Sequence, residues 1–98
     1  MRVGCMREIS HTNKFKKDLS REMRGKYKKT LQQRLEAVLE LLIDDEPLPA
    51  DYDDHSLSGE WKEFRDCHVF PDLVLIYQKP DDENLILVRI GSHSKLSL

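Results

Sequence analysis

Near residue 47 the chain changes its hydrophobic period, and that change restricts the fold more than any other feature. Upstream, Phe15, Leu19, Met23 and Tyr27 recur every four residues, and Leu31, Leu35, Val38, Leu39 and Leu42 follow at i, i+4, i+7, i+8 and i+11. Both spacings gather apolar side chains on one face of an α-helix. Downstream, LVLIY (73–77) and LILVRI (85–90) are short apolar runs rich in β-branched residues, which suit a pleated sheet. Helices first and strands bunched after them predict an α+β domain, with a small antiparallel sheet covered by a helical hairpin.

Local signals set the boundaries. Thr12 or Asn13 can cap the first helix, because either side-chain oxygen can accept a free backbone N–H. Gly25 ends or loosens that helix. The second helix is expected to end near Asp44–Glu46, since Pro47 disfavours the helical conformation of the residue before it. Met6–Ser10 is a candidate strand, which gives the order β-αα-βββ, and residues 1–5 read as a loose extension. Residues 47–61 hold two prolines and four acidic residues and are expected to be a loop. Trp61, Phe64 and Cys67–Val69 predict a strand or a bent one, with Trp61 and Phe64 in the core. KPDDEN (79–84) is a polar hairpin loop. A chain of 98 residues fits a single domain spanning 1–98.

The charge is unevenly spread. Residues 1–35 carry 11 Lys and Arg against 3 Asp and Glu, whereas residues 36–98 carry 5 against 15. A basic face and an acidic face follow. Basic faces attract phosphates. No apolar run nears the roughly 18–20 residues that cross a membrane. MRVGCMREIS lacks the apolar core of a secretory signal. A cytoplasmic location and no membrane partner are therefore expected. The two cysteines, Cys5 and Cys67, are expected to be thiols.

The residues able to carry chemistry lie in the second half: His55, Arg65, His68, Asp72, Arg89 and His93. His68 and Asp72 bracket the turn into one strand, and His93 follows the last strand, so a hairpin would bring His68 and Asp72 near His93. Two histidines, a carboxylate and an arginine can cleave RNA without a metal. One group takes the 2′-hydroxyl proton, another protonates the departing 5′-oxygen, and a cation balances the phosphorane. Other readings stay open here. His55 can be a solvated loop histidine, His68 a core hydrogen-bonder, Asp72 a turn residue, and Arg65 with Asp66, or Arg89, plain surface charge. His55, Cys67, His68, Asp72 and His93 match no usual zinc spacing. Neither a metal nor another cofactor is expected.

DHSLSGEWKEFRDCHVFPDLVLIYQ followed by LILVRIGSHSKL resembles the YafQ branch of the RelE/ParE toxin superfamily. The shared features are Asp-His before a leucine, G-x-W-x-x-[YF]-R-[DE]-x-H-[VI]-x-P-D, an apolar strand ending in tyrosine, and R-x-G-[ST]-H. The match is close over residues 47–96. The resemblance implies a RelE-like fold and the toxin of a type II toxin–antitoxin pair, a ribosome-dependent mRNA endoribonuclease that cuts A-site codons. It places His55, His68, Asp72 and His93 in catalysis, with Asp72 or His68 as base or orienter, His93 and His55 as acid or phosphate stabiliser, and Arg89 steadying the phosphorane. Lys14, Lys16, Lys17, Arg21, Arg24, Lys28, Lys29 and Arg65 become the expected contacts to ribosomal RNA. The implied partners are the ribosome, mRNA and an antitoxin of ribbon-helix-helix type, with DNA reached only through the antitoxin. Ser97 stands where relatives carry a terminal phenylalanine. That departure supports a second reading, a weakly active or inactive toxin-like protein that binds antitoxin and takes part in operon repression. A gyrase-poisoning relative of the ParE type ranks last, because those proteins lack this histidine set.

Overall fold

In the computed structural model, which describes residues 7–57 and 63–96, five strands form one sheet in the order β1-β5-β4-β3-β2. The elements are β1 (Glu8–His11), α1 (Asn13–Glu22), α2 (Leu31–Ile43), a 3-10 turn (Ala50–Tyr52), β2 (His55–Ser56), β3 (Arg65–Phe70), β4 (Leu73–Gln78), β5 (Asn84–Gly91) and α3 (His93–Leu96). β1 runs parallel to β5 and the other pairs are antiparallel. The α+β class and the β-αα-βββ frame agree with the sequence reading. The loop expected over 47–61 is more ordered than its composition implied, since it contains the 3-10 turn and β2. Trp61 and Ser97 lie outside the described residues, as does the extension at 1–5.

The local causes are those of ordinary helix and turn chemistry. Thr12 is the N-cap of α1: its Oγ1 accepts from the Phe15 N–H at 3.0 Å, and its hydroxyl donates to the Val88 carbonyl at 2.7 Å. The cap thus also pins α1 to β5. α2 stops before Asp45, whose φ of 54° is left-handed. Pro71 and Asp72 form the tight turn between β3 and β4, and the pairing shifts register between His68 and Phe70. At that irregularity the Val69 carbonyl accepts from Arg34 Nε at 2.7 Å.

The two sheet faces do different things. Cys67, Val69, Leu73, Leu75, Tyr77, Leu85, Leu87 and Ile90 join Phe15, Leu31, Leu35, Val38 and Leu42 in the main core. The helical faces read from the sequence are therefore buried, with Leu19, Met23 and Tyr27 packed at the margin. A smaller cluster of Val74, Ile76 and Leu96, flanked by Leu57, Phe64 and Val88, covers the opposite face. Alternation along a strand sends neighbours to opposite faces. With Cys67 and Val69 in the main core, Asp66 and His68 are turned toward the smaller cluster.

Candidate active site

The site is built on the face of β3 turned away from the main core. Asp66 pairs with His55 of β2, and His68 pairs with Val74 of β4. Val74 pairs in turn with Gly91 of β5, two residues before His93. The His68 and His93 rings meet edge to face, with centroids 5.2 Å apart and planes at 90°. On the other side, His55 Nδ1–H donates to the Asp53 carbonyl at 2.7 Å, which turns Nε2 to within 3.0 Å of Asp66 Oδ1. That approach is out of hydrogen-bond alignment, so Asp66 Oδ1 is buried without a directed donor.

Asp66 is the electrostatic centre of the cluster. Its side chain is buried, and desolvation pushes its pKa above the usual carboxylate range, while His55, His68 and His93 all pull it down. Loss of water disfavours a charge, and nearby cations restore it. Any histidine that becomes protonated here therefore faces a carboxylate held in a poorly solvated place. The alternative left open by the sequence, that Asp66 with Arg65 is plain surface charge, does not hold for Asp66, which is buried.

The remaining predicted residues divide. Asp72 is not tied to a histidine. Its partners are Tyr27, which donates its hydroxyl to Oδ1, and Lys26, whose Nζ is 2.5 Å from Oδ2. Both contacts hold the carboxyl below its ordinary range. Arg89 does not stand free for a phosphorane. Its Nε donates to Asp18 Oδ2 at 2.6 Å and its Nη2 to Oδ1 at 3.2 Å. Asp18 is buried in α1 and also accepts from Arg21 Nη1 (3.1 Å) and the Ile90 N–H (3.3 Å). Burial works to raise the Asp18 pKa, but the Arg89 and Ile90 bonds and the two arginine charges outweigh it and the pKa falls. This cluster locks α1 to the end of β5, just ahead of His93.

The expected RNA-contacting residues also divide. Lys14, Lys16, Lys17, Arg24, Lys28 and Lys29 are exposed. Lys16, Lys17 and Arg24 line an open cleft of about 510 Å³ with Asn13 and Ser20. Arg21 instead is committed to Asp18, Glu22 and the Ile90 carbonyl. Arg65 reaches Asp54, which also accepts from the Tyr77 hydroxyl at 2.5 Å. Those bonds steady the segment that presents His55.

Cys67 is a free thiol in the core, and burial raises its pKa. No helix among the described residues is long and apolar enough to cross a membrane.

Comparison with known proteins accounts for the pattern. The family described as "Bacterial toxin of type II toxin-antitoxin system, YafQ" matches residues 7–98. The mRNA interferase toxin YafQ of Escherichia coli K12 is 41% identical over 91 residues, covering 92% of this chain and 95% of the relative. The crystal structure of the E. coli DinJ–YafQ complex superposes with a TM-score of 0.74 at 38% identity, covering 92% of this chain and 97% of that one. A metal-bound toxin from Helicobacter pylori gives 0.76 at 41% identity, covering 93% and 99%. Among the described residues here, no three His, Cys, Asp or Glu side chains are grouped to hold a metal ion. No step below passes through a metal. Family match, identity and fold agree: the chain belongs to the YafQ toxins of bacterial type II toxin–antitoxin systems.

Proposed function

We propose that this protein cleaves mRNA in the ribosomal A site by acid–base catalysis, and that an antitoxin of ribbon-helix-helix type neutralises it. The observation that carries this reading is the convergence of His55, His68 and His93 on one buried carboxylate, Asp66. In the reaction, a histidine removes the 2′-hydroxyl proton, O2′ attacks phosphorus, and the P–O5′ bond breaks as a second histidine protonates the leaving oxygen. The products are a 2′,3′-cyclic phosphate and a 5′-hydroxyl. His68 and His93, edge to face, are the base and acid. His55 supplies the balancing positive charge. Asp66 is a positioning residue that favours the protonated histidines, and Arg89 acts through Asp18 to hold the β5 end in place.

The exposed lysines of α1 fit a sequence-independent phosphate contact, which serves docking rather than codon reading. E. coli YafQ in complex with DinJ is the precedent for the antitoxin. The binding-only reading rests on Ser97 and on a net charge of −2 in a family that is usually basic. Single alanine variants of His55, His68 and His93, followed through the pH–rate profile, test the assignment. Loss of a positioned acid or base costs about 10²–10⁴ in rate. Rates within about tenfold of wild type for all three would remove the histidines from the chemistry.

A further inference from the structure

Tyr27 is the last member of the apolar stripe that begins at Phe15, yet its hydroxyl donates to a carboxylate beside the histidines, Oδ1 of Asp72. The two meet in a cleft of about 270 Å³ between the segment joining α1 to α2, the β3–β4 turn and the start of α3. Asp72 lies in the turn that follows His68. Ser92, which lines the same cleft, directly precedes His93. The cleft therefore adjoins the His68–His93 pair.

Tyr27 is held by its ring and by its backbone. The ring stacks on Phe70, with centroids 3.8 Å apart and planes within 2°. The Tyr27 carbonyl accepts from the N–H groups of Thr30 (3.0 Å) and Leu31 (2.8 Å), which ties it to the first turn of α2. Phe70 is fixed in turn. The Arg34 guanidinium lies over its ring at 5.6 Å, and Arg34 Nε donates to the adjacent Val69 carbonyl at 2.7 Å. The hydroxyl thus reaches Asp72 from a fixed direction.

Asp72 needs that support. Its side chain is 50% exposed, and an exposed carboxyl samples several rotamers unless partners fix it. Tyr27 holds one oxygen, and Lys26 Nζ lies 2.5 Å from the other. The other charges lining the cleft, Glu22 and Lys95, are paired with each other at 3.2 Å. An ionised carboxylate only accepts, and it has about four lone-pair sites, so each oxygen keeps one for a further donor. The 2′-hydroxyl of an RNA bound at His68 is such a donor.

We propose that Tyr27 is a positioning residue for the cleavage reaction: stacked on Phe70, it fixes the Asp72 carboxylate, with Lys26 on the other oxygen, as the acceptor that orients the attacking 2′-hydroxyl beside His68. Its part in cleavage rests on the endonuclease reading above; the clamp on Asp72 does not. An acceptor held in one place before substrate arrives spares the ordering that attack would otherwise require.

Tyr27→Phe removes one oxygen and keeps the ring on Phe70, so two measurements on the full chain isolate the hydroxyl. The first is an NMR titration of the Asp72 side-chain carboxyl carbon. Lys26 and Tyr27 hold this group below its ordinary range, so its midpoint should rise in Tyr27→Phe and also in Lys26→Met. The second is cleavage of translated mRNA in two backgrounds. Alone, Tyr27→Phe should lower the maximal rate by about 10- to 100-fold and leave the concentration for half-maximal cleavage unchanged. On top of Asp72→Asn it should cost nothing further, because residues that act as a unit do not add. An unmoved midpoint in Tyr27→Phe would overturn the clamp. A raised midpoint with an unchanged rate, or equal slowing in both backgrounds, would overturn the positioning role. A protein whose midpoint rises but which leaves translated mRNA intact supports the clamp and overturns the endonuclease reading. One that cuts mRNA with an unmoved midpoint overturns the clamp alone.

Discussion

Replacing Asp66 by asparagine should make the protein more stable at alkaline pH and nearly inactive. Asp66 is 2% exposed, and its Oδ1 accepts no directed hydrogen bond. A buried acceptor left in that state costs about 1–3 kcal/mol. Desolvation raises the Asp66 pKa, and the three histidines oppose it. For a carboxyl whose folded pKa is raised, the folded state holds the proton more tightly. Its contribution is then most favourable below the unfolded value of about 3.9 and is lost as pH rises through the folded value. The penalty is therefore largest above the folded value. Asparagine keeps the shape and removes the charge. At about pH 8 the variant should gain about 1 kcal/mol, a rise in Tm of about 4–8 °C for a domain of this size. At about pH 3, below the unfolded carboxyl value, the gain should shrink or change sign. Thermal unfolding of both proteins at the two pH values measures this, and cleavage of translated mRNA should fall by at least about 100-fold. A variant destabilised by about 1 kcal/mol at the higher pH would refute the reasoning, because Asp66 would then be a net stabilising partner of its histidines. Unchanged cleavage would separately remove Asp66 from the site.

Asp18→Ala should be the most damaging change on α1, since it strips Arg89, Arg21 and the Ile90 N–H of their shared acceptor. Breaking one side of a buried pair costs about 3–5 kcal/mol, which urea unfolding would report. The Asp18 pKa is lowered, so its contribution is present above the usual carboxylate range and lost as pH falls through the native value. The deficit of the variant should therefore narrow in acid. Gly91→Ala should cost about 1–3 kcal/mol by overpacking, because the new Cβ would lie 3.0 Å from Arg21 Nη2 and 3.5 Å from Leu96 Cδ2; a Tm equal to wild type would contradict this. Charge reversal at Lys16, Lys17 and Arg24 should weaken ribosome binding by at least about tenfold and flatten its salt dependence, with the thermal melt unchanged. Arg21 is unsuitable for that experiment, since its guanidinium holds the α1–β5 junction.

Much of the architecture was legible in the chain because period carries it. The four-residue spacing that starts at Phe15 and Leu19 marks the side α1 turns to the core, and the LVLIY and LILVRI runs mark β4 and β5, with LVLIY buried on both faces. β2 and α3 were not legible, because two and four residues are too short to show any period. For the site, the hairpin argument brought His68 to His93 correctly, since antiparallel pairing dictates which ends meet. It did not foresee the partners of Asp72, which are Tyr27 and Lys26, because nothing local in the β3–β4 turn points to the segment between the helices. Asp66 was readable in principle. It lies two residues from His68, and alternation on β3 sends both to one face while Cys67 and Val69 enter the core. Asp18 left a fainter trace, as an acid three residues after Phe15 in an otherwise basic helix. Its partner Arg89 lies 71 residues away, and no local pattern predicts that pairing.

The central claim is that three histidines around Asp66 cut mRNA on the ribosome. It is tested most directly by primer extension on an mRNA in a reconstituted translation system, with wild-type protein and with His93→Ala. The account predicts cuts within A-site codons that disappear in the variant while its fold is retained. A folded, antitoxin-free wild-type protein that leaves no cuts, or a variant that cuts as well as wild type, would contradict it.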